Sequence, residues 1–277
     1  MRVSRWLARC SSKTQSYEIT RLNLMTCYPQ LSEEALGDWA RESVQHTFLM
    51  FFEIAQLKHW PLEKLEHNLR VRGEHILTQA KSSGRGVLCL VPHLGNWELL
   101  CAYLGSRHDL AALYDPPKVR SLEALIVEAR ERFKGKMYPI GVAGLRGALR
   151  HLKSGGLLAV LPDQVPGGDA GVYADFFGQP ALTMKLVDQL MAKAEPKPVL
   201  AWVKRVETGP TYEYELCFEA LDLSRDPSLD RRAQQIKTAT SVNAAIERAI
   251  NETPVQYQWE YKRFKRPRGQ TSLYRRQ

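Results

Sequence analysis

The sequence lacks long apolar stretches. No uncharged apolar run approaches the roughly 18 residues that a transmembrane helix requires, so we predict no such helix. The first 16 residues carry scattered basic side chains but no apolar core long enough for a secretory signal. We therefore expect neither a membrane-spanning segment nor a secretory leader.

Cysteine is scarce, and no two cysteines have the close spacing of a metal-binding or redox pair. The chain has five cysteines, none of them in a Cys-x-x-Cys pair: Cys10, Cys27, Cys89, Cys101 and Cys217. An odd number without paired spacing argues against a disulfide framework and against a zinc ribbon. The composition suits a reducing compartment.

Acidic residues are absent from residues 262–277, which carry seven cations. Since the whole chain has a net charge of +9, the first 261 residues contribute only +2. The basicity is mostly a property of this C-terminal tail. The remaining composition, 44% hydrophobic and 25% charged over 277 residues, is that of a globular chain able to bury a sizeable core.

One stretch, residues 84–104, has the form of a catalytic element. Residues 87–91 are a short apolar run that predicts a buried strand. Pro92 ends that strand because proline has no N–H for the ladder. From Asn96 onward the apolar residues recur at helical spacing, with Asn96 or Gly95 as the N-cap.

His93 is thus expected on a loop between a strand and a helix, with Glu98 in the first turn of that helix. A loop at Leu94 and Gly95 can fold His93 back over the helix start, so that Glu98 accepts a hydrogen bond from one imidazole nitrogen. A histidine held in this way is a general base for a hydroxyl, and the helix-start amides are suited to an oxyanion. The competing interpretation is an ordinary surface histidine.

The segment His93-Leu-Gly-Asn-Trp-Glu98 resembles the His-x4-Asp/Glu box of the glycerolipid acyltransferase superfamily. Its Gly-Asn-Trp-Glu form is similar to the branch of bacterial lipid A biosynthesis (lauroyl or myristoyl) acyltransferases. Three further segments match that branch in order: Asn23-Leu24 with Cys27-Tyr-Pro29 and Leu31-Ser32-Glu33, Pro162-Asp163-Gln164 through Asp175-Phe-Phe-Gly178, and Gln256-Tyr-Gln-Trp259 through Arg263-Phe-Lys265.

The chain departs from that family in two places. Asp115 stands where the family has the arginine of a Tyr-Arg-Pro segment, which argues against phosphate or acyl-carrier binding by this loop. The family also has a hydrophobic N-terminal helix that anchors it to the inner membrane. We expect that helix to be missing or trimmed in this sequence.

The resemblance and the apolar pattern together predict a single α/β domain over residues 1–270, similar to the glycerol-3-phosphate acyltransferase fold. Residues 1–80 form its helical N-terminal part, residues 81–260 a mixed, largely parallel sheet flanked by helices, and residues 262–277 the basic tail. The predicted strands are 87–91, 111–114, 157–161, 199–203 and a half-exposed edge strand at 212–218. The predicted helices include two or three within 17–60, then 121–133, 145–153, one opened by Thr183 and ending near 194, and 232–251.

The reaction that the resemblance implies is transfer of a fatty acyl group from an acyl carrier protein thioester to a hydroxyl of a lipid A precursor. His93 removes the hydroxyl proton, and Glu98 orients the His93 ring. The implied reaction needs no metal and no cofactor. The substrate and oxyanion contacts are expected from Arg130, Arg132, Asn96, Arg146 and Asp163. The enzyme would bind peripherally at the cytoplasmic face of the inner membrane and would not bind nucleic acid.

Several assignments have competing interpretations. Arg130 and Arg132 also suit a helix C-terminus, and Asp163 also suits a loop cap. The apolar segment 47–57 is either a core helix or one that faces a membrane or acyl chain. The aromatic and basic segment 254–267 suits core packing, membrane-interface anchoring or base stacking.

Two rival functions remain open at this point. The first keeps the chemistry and changes the acceptor to a lysophospholipid or another lipid, with acyl carrier protein or coenzyme A as the donor carrier. The second is a basic membrane-binding or nucleic-acid-binding module without activity.

Overall fold

The computed structural model describes residues 14–59, 61–114, 132–208, 212–267 and 273–274. Its α-helices are α1 (Gln15–Cys27), α2 (Glu33–His59), α3 (Leu62–His67), α4 (Glu74–Ser82), α5 (Trp97–Arg107), α6 (Val142–Lys153), α7 (Leu186–Ala194) and α8 (Arg231–Glu252). Its strands are β1 (Leu69–Arg72), β2 (Val87–Leu90), β3 (Leu110–Tyr114), β4 (Lys136–Pro139), β5 (Leu157–Val160), β6 (Gly171–Phe176), β7 (Gln179–Met184), β8 (Lys197–Glu207) and β9 (Tyr212–Ala220). The turn predicted at Asp115 and most of the helix predicted at 121–133 lie outside the described residues.

The chain divides into two compact units. The first, here called the sheet unit, comprises Phe51–Leu161 and Gln189–Leu223. The second, here called the hairpin unit, comprises Met1–Met50, Pro162–Asp188 and Ser224–Gln277.

The sheet unit contains a seven-stranded sheet in the order β1-β9-β8-β2-β5-β3-β4. Every neighbouring pair is parallel except β8 and β9, which are antiparallel. The central strands β2 and β5 are buried along their whole length, as expected of parallel strands covered on both faces. The prediction of a mixed, largely parallel sheet flanked by helices is confirmed. The specific likeness to the glycerol-3-phosphate acyltransferase fold stays a prediction.

The prediction that β9 is an edge strand is wrong, because β1 pairs with it in parallel and forms the edge instead. The alternation of apolar and acidic residues in β9 has another cause. Glu213 pairs with Arg70 at 2.7 Å and Glu215 pairs with Lys204 at 2.6 Å, so the acids bind cations of the two adjacent strands.

The hairpin unit is built on the antiparallel pair β6 and β7, against which α8 packs. Asn243 of α8 donates a hydrogen bond to the Asp175 carbonyl oxygen at 2.7 Å. The helix predicted to begin at Thr183 begins instead at Leu186, since Thr183 is a residue of β7 paired with Val172. Within α2, Ser32 caps the N-terminus as predicted, through its hydroxyl and the Ala35 amide.

The aromatic and basic segment 254–267 packs into the hairpin unit. Trp259 and Arg263 are 1% exposed, and Arg263 donates to the Leu182 carbonyl oxygen at 2.8 Å. Asn23 of α1 donates to the Trp259 carbonyl oxygen at 2.6 Å. Core packing is therefore the interpretation that the structure confirms for this part of the segment.

The apolar segment 47–57 lies in α2 and is buried on one side, at Leu49, Met50, Ile54 and Leu57. Phe52 on the same segment is half exposed. Across the described helices, none is both long enough and apolar enough to cross a membrane.

Candidate active site

His93 lies where the central strand β2 ends. The Val91 amide still donates to the Val160 carbonyl oxygen at 2.9 Å, and Pro92 then ends the ladder. Within residues 91–96, His93 alone is partly exposed and its neighbours are buried. His93 therefore lies on the loop between a strand and a helix, as the sequence predicts. In open α/β sheets ligands bind outside the carboxyl ends of parallel strands, and this loop is at that edge.

The turn after His93 requires glycine at position 95. Gly95 has φ +62° and forms a parallel bridge to Val203 of β8. A side chain at this position would overlap the Val203 carbonyl oxygen. That same oxygen accepts a hydrogen bond from the Asn96 amide at 3.2 Å, so β8 holds the turn in place.

The helix start beyond the turn is capped and carries a buried carboxylate. The Asn96 side chain accepts a hydrogen bond from the Leu99 amide at 3.0 Å, which confirms Asn96 as the N-cap of α5. Glu98 in the first turn is 7% exposed. The rings of His93 and Trp97 meet edge to face, with centroids 5.0 Å apart. One short segment thus presents an accessible imidazole, a buried carboxylate and the outward-pointing amides of a helix start.

A buried ion pair contacts this turn, and sequence reasoning missed it. The Arg205 guanidinium donates to Glu53 through Nε at 2.7 Å and through a terminal nitrogen at 2.5 Å. That terminal nitrogen also donates to the Gly95 carbonyl oxygen at 3.2 Å, and the Tyr214 hydroxyl donates to Glu53 at 2.9 Å. Both residues are at most 5% exposed. The only signal in the sequence is a lone carboxylate within the apolar segment 47–57.

Electrostatics keep Tyr214 protonated and Arg205 charged. Burial raises the pKa of Tyr214, and the neighbouring Glu53 carboxylate raises it further, so the phenol remains a donor. For Arg205, burial opposes the charge but Glu53 more than restores it, and the pKa lies above the ordinary value. Glu53 therefore accepts hydrogen bonds from two side chains, Arg205 and Tyr214, that remain donors.

Arg132 and Arg146 lie in the sheet unit, on segments other than the one that carries His93. Arg132 is exposed and donates to the Leu57 carbonyl oxygen at 2.6 Å, near the C-terminus of α2. Arg146 is exposed on α6. Arg130 lies outside the described residues.

Asp163 belongs to the hairpin unit and is 1% exposed. It accepts a hydrogen bond from the Tyr257 phenol, whose pKa is raised by burial and then by Asp163. The buried Arg263 also faces this carboxylate. The pKa of Arg263 is lowered by burial, while Tyr257 and Asp163 counter that shift. The partners of Asp163 in the hairpin unit are thus Tyr257 and Arg263.

No group of three or more His, Cys, Asp or Glu side chains is arranged to hold an ion within the described ranges. An imidazole beside a helix start can take a proton from a hydroxyl while the free amides bind an oxyanion, which is the chemistry of hydroxyl attack on an acyl group.

Several known proteins are similar to this chain over most of its length. The chain is 28% identical over 257 residues to the lipid A biosynthesis palmitoleoyltransferase of Escherichia coli (strain K12), covering 92% of this chain and 81% of that protein. It is 24% identical over 259 residues to the lauroyltransferase of the same organism, covering 93% and 82%. The model of the family described as bacterial lipid A biosynthesis acyltransferase matches residues 1–266. With nearly its whole length matched, the chain belongs to the bacterial lipid A biosynthesis acyltransferase family.

Proposed function

We propose that this acyltransferase moves a fatty acyl group from an acyl carrier protein thioester to a hydroxyl of a lipid A precursor, with His93 as the general base. The observation that carries the proposal is the partly exposed His93 at the carboxyl end of β2, followed by a capped helix with buried Glu98. The family and its curated relatives supply the reaction class.

The mechanism begins with proton removal. His93 takes the proton of the acceptor hydroxyl while the oxygen attacks the thioester carbonyl carbon, which forms the new C–O bond and a tetrahedral oxyanion. Collapse of that intermediate breaks the C–S bond, and the imidazolium returns its proton to the leaving thiolate. The products are an ester and a free carrier thiol, so no redox partner is needed. Glu98 orients the imidazole and stabilises its charged form.

Oxyanion stabilisation would come from the start of α5. Amides in the first turn of a helix point away from its axis and carry its positive dipole end. Asn96 caps this turn, so its geometry is fixed before substrate arrives. Arg130 or Arg132 would add a cation, and Arg132 also donates a hydrogen bond to the Leu57 carbonyl oxygen. We assign Arg146 a supporting role around the acceptor, whereas the role predicted for Asp163 stays a prediction.

The net charge of the chain and the names of its relatives support the proposed substrates. The net charge of +9 favours anionic partners, which include phosphorylated lipids and acidic carrier proteins. The relatives carry names for palmitoleoyl, lauroyl and myristoyl transfer in lipid A biosynthesis. The acyl length used by this chain would be set by an apolar site, where each buried CH₂ is worth about 0.8 kcal/mol.

Exposed apolar side chains support peripheral binding to a membrane, at the cytoplasmic face of the inner membrane. Ile140 and Val142 are 58% and 70% exposed and follow the carboxyl end of β4. Val206 is also exposed and lies toward the carboxyl end of β8. Because β2, β4 and β8 run parallel in one sheet, these three side chains lie at the same edge as His93. A lipid acceptor could reach His93 directly from a surface touched by this edge.

The test is mass spectrometry of a lipid A precursor incubated with the protein and a mixture of acyl carrier protein thioesters. We expect a mass gain of one acyl group, whose size identifies the preferred chain. Parallel reactions contain a lysophospholipid as acceptor, or acyl coenzyme A as donor. Acylation of the lysophospholipid alone would overturn the proposed lipid A acceptor. Transfer from coenzyme A alone would overturn acyl carrier protein as the proposed donor. Inactivity in every reaction would favour a binding module without activity.

A further inference from the structure

We propose that Arg205, held by Glu53, is a positioning residue that fixes the His93 turn for catalysis. Arg205 does not act on substrate in this account; it acts through the backbone at Gly95. The inference rests on the proposed function in one respect, namely that His93 is the base.

The location of the ion pair is the first argument. Glu53 and Arg205 are both nearly inaccessible to solvent, and burying two charges costs several kcal/mol unless their hydrogen bonds are well formed. An apolar pair of the same size would hold the core at least as well. The presence of charges at this buried position is better explained by the groups that they bind. One of these groups is the Gly95 carbonyl oxygen, which accepts a hydrogen bond from Arg205.

The second argument is the planar arrangement of the N–H donors in the Arg205 guanidinium. Nε and one terminal nitrogen bind the two oxygens of Glu53, and the same terminal nitrogen also reaches Gly95. A lysine ammonium is a single charged centre without this planar geometry. Arginine alone can therefore hold a carboxylate side-on while also donating to a backbone carbonyl.

The turn is held from both of its peptide ends. Arg205 binds the Gly95 carbonyl oxygen, and the Val203 carbonyl oxygen accepts from the Asn96 amide. The Asn96 side-chain amide hydrogen-bonds to the Tyr214 oxygen, and the Tyr214 hydroxyl donates to Glu53. Glu53 thus connects the Arg205 contact and the Tyr214 contact into one closed group around the Gly95–Asn96 peptide.

Loss of this group should affect catalysis more than substrate binding. His93 and Glu98 lie on opposite sides of the Gly95–Asn96 peptide in the chain, so a shift there changes their mutual geometry. A misplacement of about 1 Å at a catalytic group costs on the order of 10²-fold in rate. Substrate-binding surfaces elsewhere in the molecule would be unchanged.

The experiment uses the double variant Glu53→Gln with Arg205→Met, which removes both charges and leaves an acceptor for Tyr214. We expect kcat to fall about 10- to 100-fold with KM nearly unchanged. The matched control is Lys204→Met with Glu215→Gln, which removes the neighbouring ion pair of β8 and β9. Because adjacent strand residues face opposite sides of a sheet, this control leaves the turn untouched and should keep kcat within about twofold.

Amide hydrogen exchange separates positioning from general stability. In the double variant we expect faster exchange at Asn96 and Leu99, whose amides bind the Val203 carbonyl oxygen and the Asn96 side chain, with unchanged exchange at Leu90 in β2. Faster exchange throughout the sheet would show a merely structural ion pair and overturn the inference. Unchanged exchange at the turn with unchanged kcat would overturn it as well.

Arg205→Lys is a milder variant that tests the same contact. It keeps the charge for Glu53 but cannot bind both partners, so we expect an intermediate loss of kcat and faster exchange at Asn96 alone. If His93→Ala proved fully active, the proposed function would fail. The exchange result would still decide whether Arg205 holds the turn.

Discussion

Gly95 and Val203 meet backbone to backbone, with the Val203 carbonyl oxygen filling the space that a side chain on Gly95 would need. The contact joins the turn that carries His93 to the long strand β8. Any change at Gly95 therefore moves the turn relative to the sheet, and the chemistry proposed for His93 depends on that position.

We predict that Gly95→Ala both destabilises the protein and abolishes most activity. A left-handed residue with a Cβ costs about 1–2 kcal/mol by itself, and here the backbone must also shift away from Val203. The total should exceed about 3 kcal/mol in the free energy of unfolding. Urea unfolding and initial rates measure the two effects.

Gly84→Ala is the control for backbone conformation. Gly84 has a similar φ of +70°, but a Cβ there meets nothing within 4 Å. It should cost only the left-handed penalty and leave activity intact. Equal losses in the two variants would mean that the contact with Val203 carries no special constraint.

We predict a pH-dependent contribution to stability from His108. Burial lowers its pKa below the ordinary 6.5, and the nearby Lys81 and Arg107 lower it further. Lys81 lies 3.0 Å from its Nδ1, an interaction that only the neutral ring accepts. Between the lowered folded pKa and about 6.5 the unfolded chain binds more protons, so stability rises with pH in that window and levels off above it.

Unfolding free energies at pH 5 and pH 7.5 test this sign. His108→Asn keeps an acceptor for Lys81 without a proton to gain, so its pH dependence should be flatter than that of the parent protein. His75→Asn, on the exposed surface of α4, serves as the control and should leave the slope unchanged. A slope that is the same in all three proteins would contradict the prediction.

We predict that Ile140 and Val142 contribute to membrane binding. Replacing both with glutamate removes two exposed apolar side chains and adds repulsion from anionic lipids. Burying one such side chain is worth about 1.5–3 kcal/mol, so partitioning onto anionic vesicles should fall by about tenfold or more. Sedimentation with the vesicles measures the bound fraction.

A control with the same added charge isolates the location. Gln79→Glu with Ser82→Glu places two acids on the exposed surface of α4, whose C-terminus precedes the amino end of β2. That variant should bind vesicles nearly as well as the parent protein. If the Ile140 and Val142 double variant bound equally well, the edge near His93 would not be the lipid-facing surface.

The sequence was sufficient to place His93. An apolar run, a proline and an N-cap residue are local signals, and the observed β2, turn and α5 follow them closely. The core helices and the strands β3, β5 and β8 were predictable for the same reason. Each carries enough apolar residues at one period to be recognised without its neighbours.

What the sequence did not reveal depends on pairing between distant residues. Glu53 and Arg205 are separated by 152 positions, and nothing local to either predicts the other. The β6–β7 hairpin turns at Phe177 and Gly178, both with positive φ, but Phe-Gly lacks the usual asparagine or aspartate signal. The edge strands β1 and β4 are short and half polar, so their strand character comes only from their partners in the sheet.

The role of His93 as the general base is tested by the acylation rate of His93→Ala beside that of His75→Ala. Removal of a general base costs about 10² to 10⁴ in rate, whereas loss of an exposed histidine on α4 should cost nothing measurable. We predict a His93→Ala protein that unfolds at the parent temperature and transfers acyl groups at least about 100-fold more slowly. A folded His93→Ala protein with the parent rate would contradict the account.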